Sequence, residues 1–291
     1  MQKMNNTKFI AEISSNHHQD IDRCFQFIDE ASRIGCYAVK FQLFKIDQMF
    51  TPEVLRVSEK HRQRKNWELP IEFIPILYEY CEEKKIKFAC TPFYLEAVDV
   101  LEPYVDFYKI ASYELLWTNL LEKCAATEKP MMLSTGMAHL NEIEQAVNVI
   151  TKINDIELSL LHCVSSYPSP ILESNLAIIG ALREKFMRSI GWSDHSVSPA
   201  VLYRAVHKWD AEIIEFHLDL DTTGEEYSQG HCWLPEQIGS VISHISQGVV
   251  ADGFASKEPA LSELADRDWR ADPNDGLRPL KHLRDKWNLL E

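Results

Sequence analysis

The chain has 291 residues, 45% of them hydrophobic, and a formal net charge of -14. That length admits one large barrel or two smaller domains, and the apolar share suffices for a real core. The acidic balance argues against a nucleic-acid partner, which needs clustered Lys and Arg, but leaves room for a local basic pocket holding an anionic small molecule.

The N-terminal "MQKMNNTK" is polar, and the apolar run after it is too short for a signal-peptide core. No stretch is long enough to span a bilayer, so no membrane partner is expected. Seven cysteines, an odd number without CxxC spacing, suit a reduced cytoplasm and read as small core residues.

Along the chain, short apolar runs end in polar residues and are followed by helical stretches. "KFIAEISSN" leads to a helix over about 21–34. "YAVKFQLF" leads through a long polar loop to a helix near 72–84. "KFACTPF" precedes a short helix from Leu95, and "DFYKIAS" a helix near 119–126. "PMMLSTG", "ELSLLHC" and "SIGWSDH" precede helices near 141–152, 174–185 and 199–208. "AEIIEFH" is followed by a loop and a helix near 235–247. Eight strand–helix units in series predict a (β/α)8 TIM barrel over residues 1–250. A doubly wound open sheet is the competitor, but it usually carries a glycine-rich turn after its first strand, and "SSNHHQD" has no glycine. Residues 251–291 are charged and broken by Pro and Gly; they are expected to form a C-terminal tail that packs on the barrel.

The active site of such a barrel lies at the C-terminal ends of its strands. Those ends offer Glu12, Lys40, Gln42, Thr91, Lys109, Ser112, Ser134, Thr135, His162, Ser193, Asp194, His195, Glu215 and His217. Packing does not account for such a ring, because buried charges are costly unless paired. Lys40 and Lys109 each sit among apolar residues and need an anion nearby. The bland alternative is a structural ion pair with Glu12 or Glu114. With Ser112, Ser134 and Ser193, the lysines suit a phosphorylated or carboxylated substrate. His195 and His217 end neighbouring strands about 5 Å apart, so both imidazoles reach one divalent cation. His17, His18, His162 and His231 are weaker candidates. Strand eight aims Glu215 and His217 to one face; Glu215 either orients His217 or pairs with a barrel lysine.

"IAEISSNHHQD", "AVKFQLF", "ACTPF", "YKIAS", "LSTGM", "LLHCVSSYPSP", "GWSDHS" and "IIEFHLDLD", in that order, resemble the N-acetylneuraminate (sialic acid) synthase family. The likeness covers roughly residues 9–245. It implies a transferase that condenses phosphoenolpyruvate (PEP) with an N-acylated amino sugar such as N-acetylmannosamine, giving a 3-deoxy-2-keto sugar acid and phosphate. By resemblance, His195 and His217 hold a divalent metal, Mn2+ in the first place with Mg2+ or Co2+ as alternatives. Lys40, Lys109, Ser112, Ser134 and Ser193 match the residues that grip PEP. Glu12 matches a carboxylate near the reacting centre, and Tyr167 matches a tyrosine at the sugar end; beside these matches, Glu215 is a further catalytic candidate, and Gln42 and Asn16 are further substrate-binding candidates. A homodimer is the assembly the family suggests.

Three departures put the acceptor in doubt. The chain ends before the family's C-terminal antifreeze-like domain, whose arginine normally reaches a sugar; Arg270 or Arg278 in "DWRADPNDGLRP" is the expected substitute. The loop after strand eight has "EEYS" where the family reads Gly-Pro-Asp, so Glu226, Tyr227, Gln229 and His231 become candidates for specificity. Tyr113 and Ser165 replace a small residue and an Asn. Two other classes stay open: a Schiff-base aldolase using Lys109 or Lys40, and a silent sugar- or PEP-binding homologue.

Overall fold

The computed structural model describes residues 7–253 and 255–287. The first six residues, read above as part of a polar N-terminus, lie outside that description. Eight strands run in parallel: β1 (Lys8–Glu12), β2 (Ala38–Leu43), β3 (Lys87–Pro92), β4 (Phe107–Ile110), β5 (Met131–Ser134), β6 (Leu158–Cys163), β7 (Ile190–Asp194) and β8 (Ile213–Leu218). Each pairs with the next, and β1 also pairs with β8, with Glu12 opposite His217. That closure makes the (β/α)8 barrel and eliminates the open sheet. A two-residue strand, β9 (Cys232–Trp233), adds in parallel to the end of β8, with Cys232 opposite His217.

Helices return the chain between strands. They are α1 (Ile21–Arg33), the short α2 (Ile46–Met49), α3 (Pro52–Val57) and α4 (Glu59–Gln63), then α5 (Phe73–Lys84), α6 (Leu95–Leu101), α7 (Thr118–Ala126), α8 (Leu140–Ile153), α9 (Ala177–Phe186), α10 (Pro199–His207), α11 (Glu225–Ser228) and α12 (Pro235–Asp252). Helix α1 shows why these segments fold as they do. Asp20 caps it by accepting from the Asp22 and Arg23 amides, and Cys24, Phe27, Ile28 and Ala31 bury one face at helical spacing. Burying a side chain such as Phe27 or Ile28 stabilises the fold by roughly 1.5–3 kcal/mol.

Period-two alternation divides the strands into two populations. Phe9, Val39, Phe41, Phe88, Ile214 and Phe216 face the helices in one large core. Ile10, Ala38, Ala89, Phe107, Met132, Leu161 and Ile213 fill the barrel interior as a second cluster. Gly191 is required there: a Cβ would lie 2.4 Å from the Ile213 carbonyl oxygen and 2.6 Å from Leu161. Two residues further along each strand, the same inward face carries Glu12, Lys40, Thr91, Lys109, Ser134, Ser193 and Glu215, all buried. The apolar layer thus forms the floor under a polar layer.

Residues from Ala251 onward form a separate compact unit. Within it, Asp272 accepts the Lys281 amide at 2.7 Å, Arg284 pairs with Asp275 at 2.8 Å, and the rings of Trp269 and Trp287 lie 5.8 Å apart, closing it around the helix α13 (Lys281–Trp287). No described helix is long and apolar enough to cross a membrane. The seven cysteines form no disulfide.

Candidate active site

A cavity of about 650 Å³ opens at the C-terminal ends of the strands and is lined by barrel residues. At its base, β2 and β4 deliver the two ammoniums. Lys40 makes a direct ion pair with Glu12 and donates to Thr91 Oγ1 at 3.1 Å; Glu215 Oε2 lies 3.9 Å away. Lys109 donates to Ser134 Oγ at 2.6 Å and to the Ile110 carbonyl at 3.2 Å, with Glu215 Oε1 at 3.5 Å. Ser193 donates to Glu215 Oε1 at 3.0 Å, and Gln42 to Glu12 Oε1 at 2.7 Å. Glu215 is therefore the shared counter-ion of the two lysines. Glu114, the alternative partner for a lysine, makes no ion pair among the described residues; burial pushes its carboxyl up to about 7, against the pull of Lys109.

Two carboxylates for two ammoniums leave the base near neutrality, but the charges are unequally held. Burial lowers the Lys40 ammonium, yet Glu12 and Glu215 more than offset this and the net shift is upward. Lys109 moves down, because burial outweighs Glu215. Burial pushes Glu215 up, but Lys109 and Lys40 hold it well below the usual carboxylate range. Beside Lys109, Ser112 Oγ accepts the Gly136 amide at 3.0 Å and lies 3.2 Å from Cys163 Sγ. A Cβ at Gly136 would fall 2.3 Å from Ser165 Oγ and 2.8 Å from Ser112 Oγ, so glycine keeps the hydroxyls close to the backbone amide.

Imidazoles form the opposite wall. The rings of His195 and His217 lie 5.4 Å apart, those of His217 and His231 5.1 Å, and the Tyr167 ring sits 4.2 Å from His195. His195 Nδ1 is 2.7 Å from the Val164 carbonyl, which can only accept. Its proton is therefore on Nδ1, and Nε2 keeps a lone pair. Burial and then His217 push His195 down to about 3, so it is neutral at physiological pH. Burial works against charge on His217 too, but its 3.1 Å contact with Glu226 Oε2 wins and raises it. His231 Nε2 lies 3.5 Å and Cys232 Sγ 3.6 Å from the same oxygen. Two imidazoles, a carboxylate and a thiol within 4.8 Å of one another fit a divalent cation.

The loop presenting Glu226 is anchored from below. Arg23 pairs with Asp219 at 2.7 Å and with Asp221 at 3.2 Å. Gly224 packs so tightly on Asp219 that a Cβ would overlap its carboxylate. Ser14 and Ser15 donate to Glu226 Oε1 at 2.6 and 2.8 Å.

The structure brings together Glu12, Lys40, Gln42, Lys109, Ser112, Ser134, Tyr167, Ser193, His195, Glu215 and His217 around one cavity. It does not bring Asn16 to the lining: the Asn16 amide donates to the Leu218 carbonyl at 2.9 Å, tying the first loop to β8. Nor is His162 at the lining; it faces outward, 5.2 Å from the Trp192 ring, and contacts the Ser174 carbonyl. Asp194 is a structural acceptor for the indoles of Trp192 and Trp233 at 3.0 and 3.1 Å. His17 Nδ1 accepts the Gln19 amide at 2.9 Å. Arg270 and Arg278 belong to the C-terminal unit, where both are exposed. Sequence reasoning missed the contact of Glu226 and Cys232 with His217, though the close spacing of Glu226, His231 and Cys232 in "EEYSQGHCW" was a signal. It also missed Phe50, Lys60, Arg64 and Trp67, which line the cavity from the long excursion between β2 and α5.

Fold and site together define a barrel enzyme whose one cavity has two buried ammoniums at its base and imidazoles along its wall. The chain belongs to the NeuB family, whose model matches residues 27–257. It is 36% identical over 258 residues to an uncharacterized protein of Methanocaldococcus jannaschii, covering 88% of this chain and 75% of that one. It is 31% identical to the N,N'-diacetyllegionaminic acid synthase of Campylobacter jejuni, over 89% of this chain and 81% of that protein. Among solved structures, the N-acetylneuraminic acid synthetase of Leptospira borgpetersenii, crystallised with citrate, superposes with a TM-score of 0.76 at 31% identity, covering 90% of each chain. The family expected from the order of motifs is the family found.

Proposed function

We propose that this enzyme condenses PEP with an N-acylated amino sugar, releasing phosphate and a sialic-acid-like 3-deoxy-2-keto sugar acid. The observation that carries the reading is the pairing, in one cavity, of two buried ammoniums flanked by hydroxyls with a wall of imidazoles. Lys40 and Lys109, with Ser112, Ser134 and Ser193, take the phosphate and carboxylate of PEP through charge-assisted hydrogen bonds. Tyr167 lies at the sugar end, beside His195. His195 and His217 hold the divalent cation, Mn2+ in this reading, which polarises the acceptor carbonyl when bound. The base orients PEP so that its methylene carbon faces the acceptor aldehyde. A carbon–carbon bond forms, water adds to the resulting cationic carbon, and the carbon–oxygen bond to phosphate breaks. Glu12 and Glu215 keep both ammoniums charged and offset the developing cation.

The test is phosphate release from PEP with Mn2+ across a panel of N-acylated amino sugars, with His217→Ala as control. Release with one sugar, abolished by the substitution, supports the reading and identifies the acceptor. Absence of release with every sugar, despite measured PEP binding, overturns it. A Schiff-base aldolase is favoured by one observation, the lowered Lys109 ammonium. Borohydride trapping of a covalent adduct at Lys109 would decide for it, since the synthase route forms no imine.

A further inference from the structure

The long excursion between β2 and α5 brings to the cavity two cations that the chemistry at the base does not use. We propose that Arg64 and Lys60 form an anion subsite that selects an acceptor sugar phosphorylated on its terminal primary hydroxyl. This inference rests on the synthase reading of the same cavity and names its substrate class. Lys60 lies in α4, and Arg64 opens the 3-10 turn Arg64–Trp67 that continues it. Four residues apart in one helical run, the two share a face, and both line the cavity.

The cations of the excursion differ in kind from those of the base. At the base, Glu12 and Glu215 neutralise Lys40 and Lys109. Among the described residues, no carboxylate pairs with Lys60 or Arg64, and the buried Arg64 Nε has no hydrogen-bond partner. Other charged groups of the excursion are engaged elsewhere. Lys65 pairs with Asp47 at 3.8 Å, Arg62 donates to the Leu55 carbonyl at 2.6 Å, and Glu68 accepts the Ile46 amide at 2.7 Å. Arg64 is held by rings instead: its guanidinium carbon lies 5.6 Å from the Phe50 centroid and 5.6 Å from that of Trp67. Such contacts orient the guanidinium without supplying an acceptor for its N–H donors. Phe50 packs edge-on against His61 at 4.7 Å, and Gln19 Nε2 donates to the Glu68 carbonyl at 2.8 Å, tying the end of the excursion to the loop after β1. The cations are therefore presented on a fixed frame. A dianionic phosphate monoester fits them, because the guanidinium fork takes two oxygens and the ammonium adds a point charge. The base takes the phosphate and carboxylate of PEP, and the acceptor aldehyde must meet PEP. The anion for Arg64 and Lys60 thus belongs on the acceptor's other end, its primary hydroxyl.

Binding tests this without turnover. The protein, saturated with PEP and Mn2+, is titrated calorimetrically with N-acetylated hexosamines reduced to their alditols, which lack the aldehyde and cannot condense. Each is used with and without a phosphate on the primary hydroxyl. Expected is a pair whose phosphorylated member binds about tenfold or more tightly, a preference that shrinks as salt is raised. Arg64→Met lowers the preference to below about threefold, while Arg64→Lys keeps part of it, since charge survives without the fork. Lys60→Gln lowers it in a protein whose rings still hold Arg64. Lys65→Gln removes a cation of the same excursion that is not at the lining, and leaves the preference intact. The PEP affinity of each variant reports its folding. A wild type that prefers no phosphorylated member of any pair overturns the proposal, whatever the variants do. So does a preference that survives both Arg64→Met and Lys60→Gln. Phosphate release from PEP with unphosphorylated aldehyde sugars, without any preference among the pairs, removes this inference alone. A preference abolished by Arg64→Met, with no phosphate release for any aldehyde sugar of either kind, removes the synthase reading and keeps the anion subsite.

Discussion

Replacing Glu215 by Gln tests the electrostatic logic of the cavity base. The carboxylate lies 3.5 Å from Lys109 and 3.9 Å from Lys40. At an effective dielectric of about 20, each such pair is worth roughly 4–5 kcal/mol of attraction. Desolvation of the carboxylate takes back several kcal/mol, and the Ser193 hydrogen bond returns some of it. The amide is isosteric, so packing is preserved while Lys109 loses its counter-ion. Removing one partner of a buried pair costs about 3–5 kcal/mol, and that is the expected loss of unfolding free energy by urea at pH 7.5. The pH profile adds a sign. Glu215 is held below its ordinary range, so its contribution is fully present above about pH 4.3 and falls as pH drops through its depressed folded value. The wild type therefore loses stability on acidification that the Gln variant has already lost. Adding phosphate should restore part of the variant's stability, because an anion replaces the missing charge. A loss below about 1 kcal/mol at pH 7.5, with parallel pH profiles, would refute the assignment of Glu215 as shared counter-ion.

Glu114 makes the opposite prediction. Its carboxyl is raised to about 7, so the folded state holds the proton more tightly than the unfolded chain. Stability is greatest below about pH 4.3 and declines as pH rises through 7; the decline between pH 5 and 8 should be about 2 kcal/mol, and Glu114→Gln should abolish it. Equal urea midpoint shifts in the two proteins would contradict this. Gly191→Ala places a methyl against the Ile213 carbonyl inside the barrel and should cost about 1–3 kcal/mol in a denaturant melt. An unchanged midpoint would show that the interior is looser than the contacts imply.

Much of the architecture was legible locally. A run such as "KFIAEISSN" or "AEIIEFHLDL" declares a strand because buried parallel strands are apolar on both faces, and polar residues appear only where the strand reaches the mouth. Periodicity alone places Glu12, Lys40, Lys109, Ser134, Ser193, Glu215 and His217 on inward faces. Asn16 and His162 show the limit. Both follow or end a strand and read as cavity groups, yet one ties a loop to β8 and the other packs outward on Trp192. Side-chain direction at a strand end is settled by the loop beyond it, which has no period to read.

The sequence by itself determined the barrel, the order of its units and the inward polar ring, because these follow from hydrophobic alternation and strand register. Only the tertiary structure decided which charges share partners. Glu215 lies between two lysines that are 69 residues apart in sequence, as their numbers show. Glu226 meets His217, His231, Cys232 and two serines from the far end of the chain through a loop folded over the barrel mouth. Electrostatic energy depends on separations of a few ångströms, and closing the barrel by pairing β1 with β8 is what sets those separations.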